Sequence, residues 1–99
     1  MSNLLISHGG SDPEGYNVTT SGTLLAAASD YRRFIAITNA SDEPIYLALS
    51  SNGAEVGKGV YIAPNGGAFE LNNVNMYYGE IWAIHDGVGN KRVCVQVGR

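Results

Sequence analysis

Short apolar runs, each cut off by turn chemistry before a helix could form, constrain this chain most. Between Tyr31 and Ala63 it reads Tyr-Arg-Arg-Phe-Ile-Ala-Ile-Thr-Asn, a polar break, Pro-Ile-Tyr-Leu-Ala-Leu-Ser, a glycine-rich break, then Gly-Val-Tyr-Ile-Ala before Pro64. Runs of this length, bounded by Gly, Pro, Asn and Asp, predict strands. Ile45, Leu47 and Leu49 alternate with Tyr46 and Ala48, the pattern of a half-buried strand. In Tyr31 to Asn39, Arg33, Ile35 and Ile37 share one face and Arg32, Phe34, Ala36 and Thr38 the other. Apolar residues on both faces predict a central strand between two layers.

The same grammar continues to the C-terminal end. Asn39 to Pro44 is short enough to join neighbouring strands as a hairpin, and Asn65-Gly66 is a second hairpin signal before Ala68 to Leu71. The longer Ser50 to Gly59 segment predicts a connection that crosses between sheets. Met76 to His85 reads as one long strand, with Tyr77, Gly79, Ile81, Ala83 and His85 opposite Tyr78, Glu80, Trp82, Ile84 and Asp86. Gly79 in its middle predicts a bulge or a close backbone approach. Lys91 to Val97 closes the chain, with Val93, Val95 and Val97 opposite Arg92, Cys94 and Gln96. Thr23 to Ala28 is ambiguous: Ala and Leu favour helix, but so short a helix is marginal, which leaves a strand or an extended lead-in. The expected fold is all-β: an antiparallel β-sandwich, jelly-roll-like, of about seven to eight short strands, closing on itself to limit exposed edges.

The chain has 99 residues, enough for one small domain. Residues 1–21 are rich in Gly, Ser, Asp and Pro and read as an extended N-terminal arm, with Leu4-Leu5-Ile6 as its sticky patch. Residues 22–99 form the β-sandwich domain, which should stay folded without the arm. Met1 to His8 has no basic n-region, so no signal peptide is expected. Nor is a membrane span, for no run approaches the ~20 apolar residues it requires.

Charged residues make up 15% of the chain, against the roughly 25% usual in globular domains. Either the solvent face of a sheet carries neutral polar residues, or much of the surface is covered by other protein, since interface cores lose charge. The net charge of −3, with basic pairs only at Arg32-Arg33 and Lys91-Arg92, argues against nucleic acid.

No catalytic constellation emerges. Gly53-Ala-Glu-Val-Gly-Lys58 falls short of a phosphate loop: the spacing is wrong and Gly59 stands where Ser or Thr is needed. His8, His85 and Cys94 do not make a zinc pattern. Cys94, the single cysteine, allows no intrachain disulfide and reads as a small buried hydrophobe. His85-Asp86 reads as a strand-end histidine beside a turn aspartate. No serine has a recognisable nucleophile context. Glu70 and Glu80 facing each other across adjacent strands would be the one glycosidase-like pair. Catalytic residues, cofactors and metals are therefore not expected. Tyr78, Glu80 and Trp82 on one strand face form a row that can hold a sugar or anchor a protein interface.

Arg33-Phe-Ile-Ala-Ile-Thr-Asn-Ala-Ser41, Ile45-Tyr-Leu-Ala-Leu49, Gly59-Val-Tyr-Ile-Ala-Pro-Asn-Gly-Gly67, Tyr78-Gly-Glu-Ile-Trp-Ala-Ile84 and the closing Val-rich strand resemble small all-β structural proteins of tailed-bacteriophage particles, of the capsid-decoration and head-fibre type. The resemblance spans Tyr31 to Val97 and carries no set of binding residues with it. It implies a virion protein without enzymatic activity, made in the bacterial host cytoplasm. The reading that follows is a capsid decoration (cement) protein. It would bind the major capsid protein lattice through its N-terminal arm and a sheet surface, as a homo-oligomer, with a trimer suiting a local three-fold axis. The candidate partner-binding residues are Leu4, Leu5, Ile6, Tyr78, Glu80 and Trp82. The alternatives are a structural protein of the head–tail junction or tail, and a carbohydrate-binding module for host attachment.

Overall fold

The computed structural model describes residues 11–98. Their strands are β1 (Ser11–Val18), β2 (Thr23–Ala26), β3 (Phe34–Asn39), β4 (Ile45–Leu49), β5 (Val60–Ile62), β6 (Ala68–Leu71), β7 (Ile81–Ile84) and β8 (Lys91–Gly98). Among the described residues there is no helix. The strands form two antiparallel four-stranded sheets, in the orders β1-β8-β3-β6 and β2-β7-β4-β5. Each sheet turns one face inward. Val18, Ile35, Ile37, Leu71, Val93 and Val95 from the first meet Leu25, Ile45, Leu47, Ile62, Ile81 and Ala83 from the second, all at most 3% exposed. Fully burying an aliphatic side chain of this size contributes about 1.5–3 kcal/mol, so this alternating set drives the sandwich together.

Several expectations change on contact with the structure. Of the arm expected over residues 1–21, residues 1–10 lie outside the described part, and with them Leu4, Leu5 and Ile6. Residues 11–18 are not an arm. They form β1, paired along its whole length with β8 from Ser11↔Gly98 to Val18↔Lys91. Pro13 and Gly15 disguise the strand in the sequence. At the edge of a sheet, however, a missing N–H is tolerated. Gly15 leaves room for a neighbour: a Cβ there would run into the Arg92 guanidinium.

The connections are also redistributed. Asn39 to Pro44 and Asn65-Gly66 do not make hairpins. They carry the chain from β3 to β4 and from β5 to β6, in each case to the opposite sheet. Ser50 to Gly59, expected to cross, joins β4 to β5 within one sheet. The turn chemistry at Asn65-Gly66 was nevertheless legible: both residues have positive φ, 60° and 109°. A tight reversal does not specify which sheet receives the chain. The two crossing connections bond to each other instead, Asn65 N–H to the Ser41 carbonyl and Gly66 N–H to the Asn39 carbonyl, both at 2.8 Å.

Two expected strands are shorter at their N-terminal ends. Residues 31–33 and 76–80 are not in strands. Arg32, only 2% exposed, takes the carbonyls a neighbouring strand would have used. Its guanidinium donates to Tyr77 O at 2.7 Å, to Gly79 O at 3.3 Å and to Ala27 O at 2.7 Å. Ser29 N–H takes the Tyr78 carbonyl at 2.8 Å. This clamp fixes one end of the sandwich.

Asn39 and His85 fix the other end, and both are fully buried. The Asn39 amide donates to Glu43 O (2.7 Å) and Ile62 O (3.2 Å) and accepts from the Ser41 N–H (3.0 Å) and hydroxyl (2.7 Å), so its whole bonding capacity is used. His85 Nδ1 accepts the Gly87 N–H at 2.9 Å, which leaves the ring proton on Nε2 to be donated to Gly89 O at 2.6 Å. The strand-end histidine thus organises the turn before β8.

The sheets do not close on themselves. Their edges are blunted by other means: Pro13 on β1, a register shift between Leu24 and Ala26 on β2, and the shortness of β5 and β6.

Candidate functional site

The outer faces of the two sheets differ in chemistry. On the first, register aligns Gly15, Cys94, Thr38 and Ala68 in one row, and Pro13, Gln96, Ala36 and Glu70 in the next. Small and polar residues of this kind are usual for a solvated sheet face. They leave a shallow depression of about 520 Å³ over β1, β8 and β3. Cys94 lies on its floor and is exposed, which corrects the expectation of a buried thiol. It shares that face with Arg92, whereas its neighbours Val93 and Val95 point into the core.

The second sheet's outer face is aromatic and aliphatic. One row reads Leu24, Trp82, Ala48 and the next Ile84, Tyr46, Tyr61. The rings of Tyr46 and Tyr61 meet edge to face, with centroids 5.7 Å apart. Such cross-strand aromatic pairs stabilise a sheet. Ile84 is 8% exposed, while Leu24 at 36% and Tyr61 at 57% remain open to solvent. None of the six carries a charge. The apolar alternation on this sheet therefore continues on the side away from the core. Tyr46 and Trp82 are each half-buried by these neighbours.

Of the expected partner-binding residues, the structure brings Glu80 and Trp82 together. The indole N–H donates to the Glu80 carboxylate at 2.9 Å, which fixes the ring beside Leu24 and Ala48. Tyr78 does not join them on the strand face. It lies in the irregular segment before β7, 47% exposed, its backbone bonded to Ser29. Glu70 and Glu80 do not face each other: Glu70 is on β6, opposite Ala36 of the first sheet, and Glu80 precedes β7 of the second. Tyr46, Tyr61 and Leu24 were missed as surface residues. The alternation within Ile45 to Leu49 already placed Tyr46 outward, but whether water or protein faces it is not written there.

Two pairs of oppositely charged side chains make local contacts. Lys91 donates to the exposed Asp42 at 3.0 Å, and this hydrogen bond holds the Asp42 carboxyl below its ordinary range. Lys58 pairs with Glu55 at 3.1 Å within the Ser50–Gly59 connection. Among the described residues no three His, Cys, Asp or Glu side chains are grouped to hold a metal ion.

Comparison with protein-family models, curated proteins and solved structures finds no match to this chain. The surface feature that stands out is the aromatic outer face of the second sheet, with the hydrogen-bonded Trp82–Glu80 pair at one corner and the Glu55–Lys58 ion pair lining the depression beside Ala48.

Proposed function

We propose that this chain is a structural protein of a bacteriophage particle, a capsid decoration protein that binds the major capsid protein lattice. The observation that carries the reading is the aromatic outer face of the second sheet, whose six outward paired positions hold no charged residue. A protein of this size with so apolar a sheet face is suited to a life in contact with other protein. Its strand order supports reading the fold as a jelly roll, for the first strand lies beside the last in one sheet and the second beside the seventh in the other. Jelly rolls serve in viral capsids and in lectins. The resemblance of Tyr31 to Val97 to phage structural proteins points the same way. Self-association, with a trimer on a local three-fold axis, fits a surface poor in charge. Leu4-Leu5-Ile6 is a second candidate contact.

The test is binding of the purified chain to empty capsids of the phage that encodes it. Tyr61→Ala and Trp82→Ala should each weaken binding about tenfold or more if they sit at an interface centre. Unchanged affinity in both variants would rule out this face.

Carbohydrate binding is the second reading, favoured by the Glu80–Trp82 pair: an oriented indole offers a stacking face and the carboxylate a hydroxyl acceptor. A glycan array distinguishes it, because Trp82→Ala would then abolish a sugar signal and leave capsid binding untouched.

A further inference from the structure

A glycine directly follows Asn or Asp at Asn52-Gly53, Asn65-Gly66 and Asp86-Gly87. At such a pair the glycine nitrogen can attack the carbonyl carbon of the preceding side chain, because no Cβ obstructs the approach. The nitrogen must shed its proton and swing toward Cγ. A hydrogen bond from that N–H opposes both movements, since it has to be broken first. On this criterion the structure separates the pairs.

Asn65-Gly66 and Asp86-Gly87 are pinned. Gly66 N–H donates to the Asn39 carbonyl and Asn65 N–H to the Ser41 carbonyl, both at 2.8 Å. Gly87 N–H donates to Nδ1 of the buried His85 at 2.9 Å. Glu43 also packs against Gly87, so closely that a Cβ there would stand 2.8 Å from the carboxyl carbon. Asn52-Gly53 is different. Asn52 is exposed in the connection from β4 to β5, and no acceptor among the described residues takes the Gly53 N–H. The Asn52 side-chain amide is equally unengaged among the described residues; only its backbone N–H is tied, to Ser50 Oγ at 3.0 Å. Gly53 has a φ of 87°, and a Cβ built on it would meet nothing within 4 Å. The pair can therefore rearrange without displacing a neighbour.

We propose that Asn52 is a self-modification site, converted to aspartate and isoaspartate in the folded protein, while Asn65 and Asp86 are preserved. The Gly53 nitrogen bonds to Asn52 Cγ and the Cγ–Nδ2 bond breaks. The side-chain amide leaves as ammonia, carrying the proton that the Gly53 nitrogen gives up. Water then opens the cyclic imide. Cleavage of the new bond to Cγ leaves aspartate, and cleavage of the bond to the Asn52 main-chain carbonyl carbon leaves isoaspartate. Either product brings a carboxylate into the depression of about 260 Å³ that Asn52 lines with Ala48, Ser50, Glu55 and Lys58. The new charge falls beside Ala48, one of the six outward positions of the aromatic face that hold none.

The test incubates the folded full chain at neutral and at mildly alkaline pH, beside the same chain unfolded in urea. Peptide mapping by mass spectrometry follows the conversion of each amide to an acid and the isoaspartate formed. In the folded chain Asn52 should convert about tenfold faster than Asn65, and faster still at the alkaline pH, where more of the attacking amide is deprotonated. Asp86 should yield no isoaspartate over the same period. In urea the two asparagines should convert at similar rates, since both precede glycine. An Asn52 that stays intact in the folded chain would overturn the proposal. So would an Asn65 that converts as fast as Asn52 there, because the hydrogen bonds would then give no protection.

Discussion

Asn39 shows how much of the fold one side chain can hold. Its amide ties the end of β3 to Ser41 and Glu43 in the connection to β4 and to Ile62 at the end of β5. Asn39→Ala would remove the side-chain donor to the Ile62 and Glu43 carbonyls, the latter still in reach of the Ser41 hydroxyl, and the acceptor of the Ser41 N–H. It should destabilise the domain by about 3 kcal/mol, read as a lower urea midpoint at unchanged slope. A midpoint within error of wild type would mean that solvent replaces these bonds. Cys94 gives a contrary lesson. Its place in an alternating strand was legible, and so was the side it shares with Arg92 and Gln96. That this side faces solvent was not, because alternation separates two faces without naming the wet one. The folded protein should react fully with a maleimide before any denaturant is added, whereas a buried thiol would react only on unfolding.

At the scale of elements, the β4, β7 and β8 alternations were readable because their inward residues, Ile45, Leu47, Ile81, Ala83, Val93 and Val95, keep strict period two. Pairing was not readable. β3 reaches β4 through five residues, Ala40 to Pro44, that look like a hairpin turn, yet the buried Asn39 amide holds them across the sandwich. β1 was hidden by Pro13 and Gly15, residues that read as loop but suit an edge. The consequence bears on any attempt to trim the chain. A truncation beginning at Gly22 removes the whole β1–β8 ladder and the buried Val18, so it should unfold or aggregate. One beginning at Ser11 keeps every described strand and should melt cooperatively. Limited proteolysis and circular dichroism distinguish the two outcomes, and a stable Gly22 fragment would contradict the assignment of β1.

At the scale of the whole molecule, the low charge content acquires a location. The first sheet presents small and polar residues to solvent and the second presents Leu24, Trp82, Tyr46 and Tyr61. The sequence places Tyr78, Glu80 and Trp82 in one row, of which Glu80 and Trp82 meet in the structure. The rest of the face could not be assembled without knowing that β2, β7, β4 and β5 are neighbours. Service of this face on a lattice requires many equivalent copies on one particle.

The most direct measurement is the number of chains bound per empty capsid at saturation. A decoration protein should saturate at a copy number set by the repeating positions of the major capsid protein lattice. A handful of copies per particle would instead place it at the head–tail junction or tail, and no saturable binding would contradict the particle role altogether.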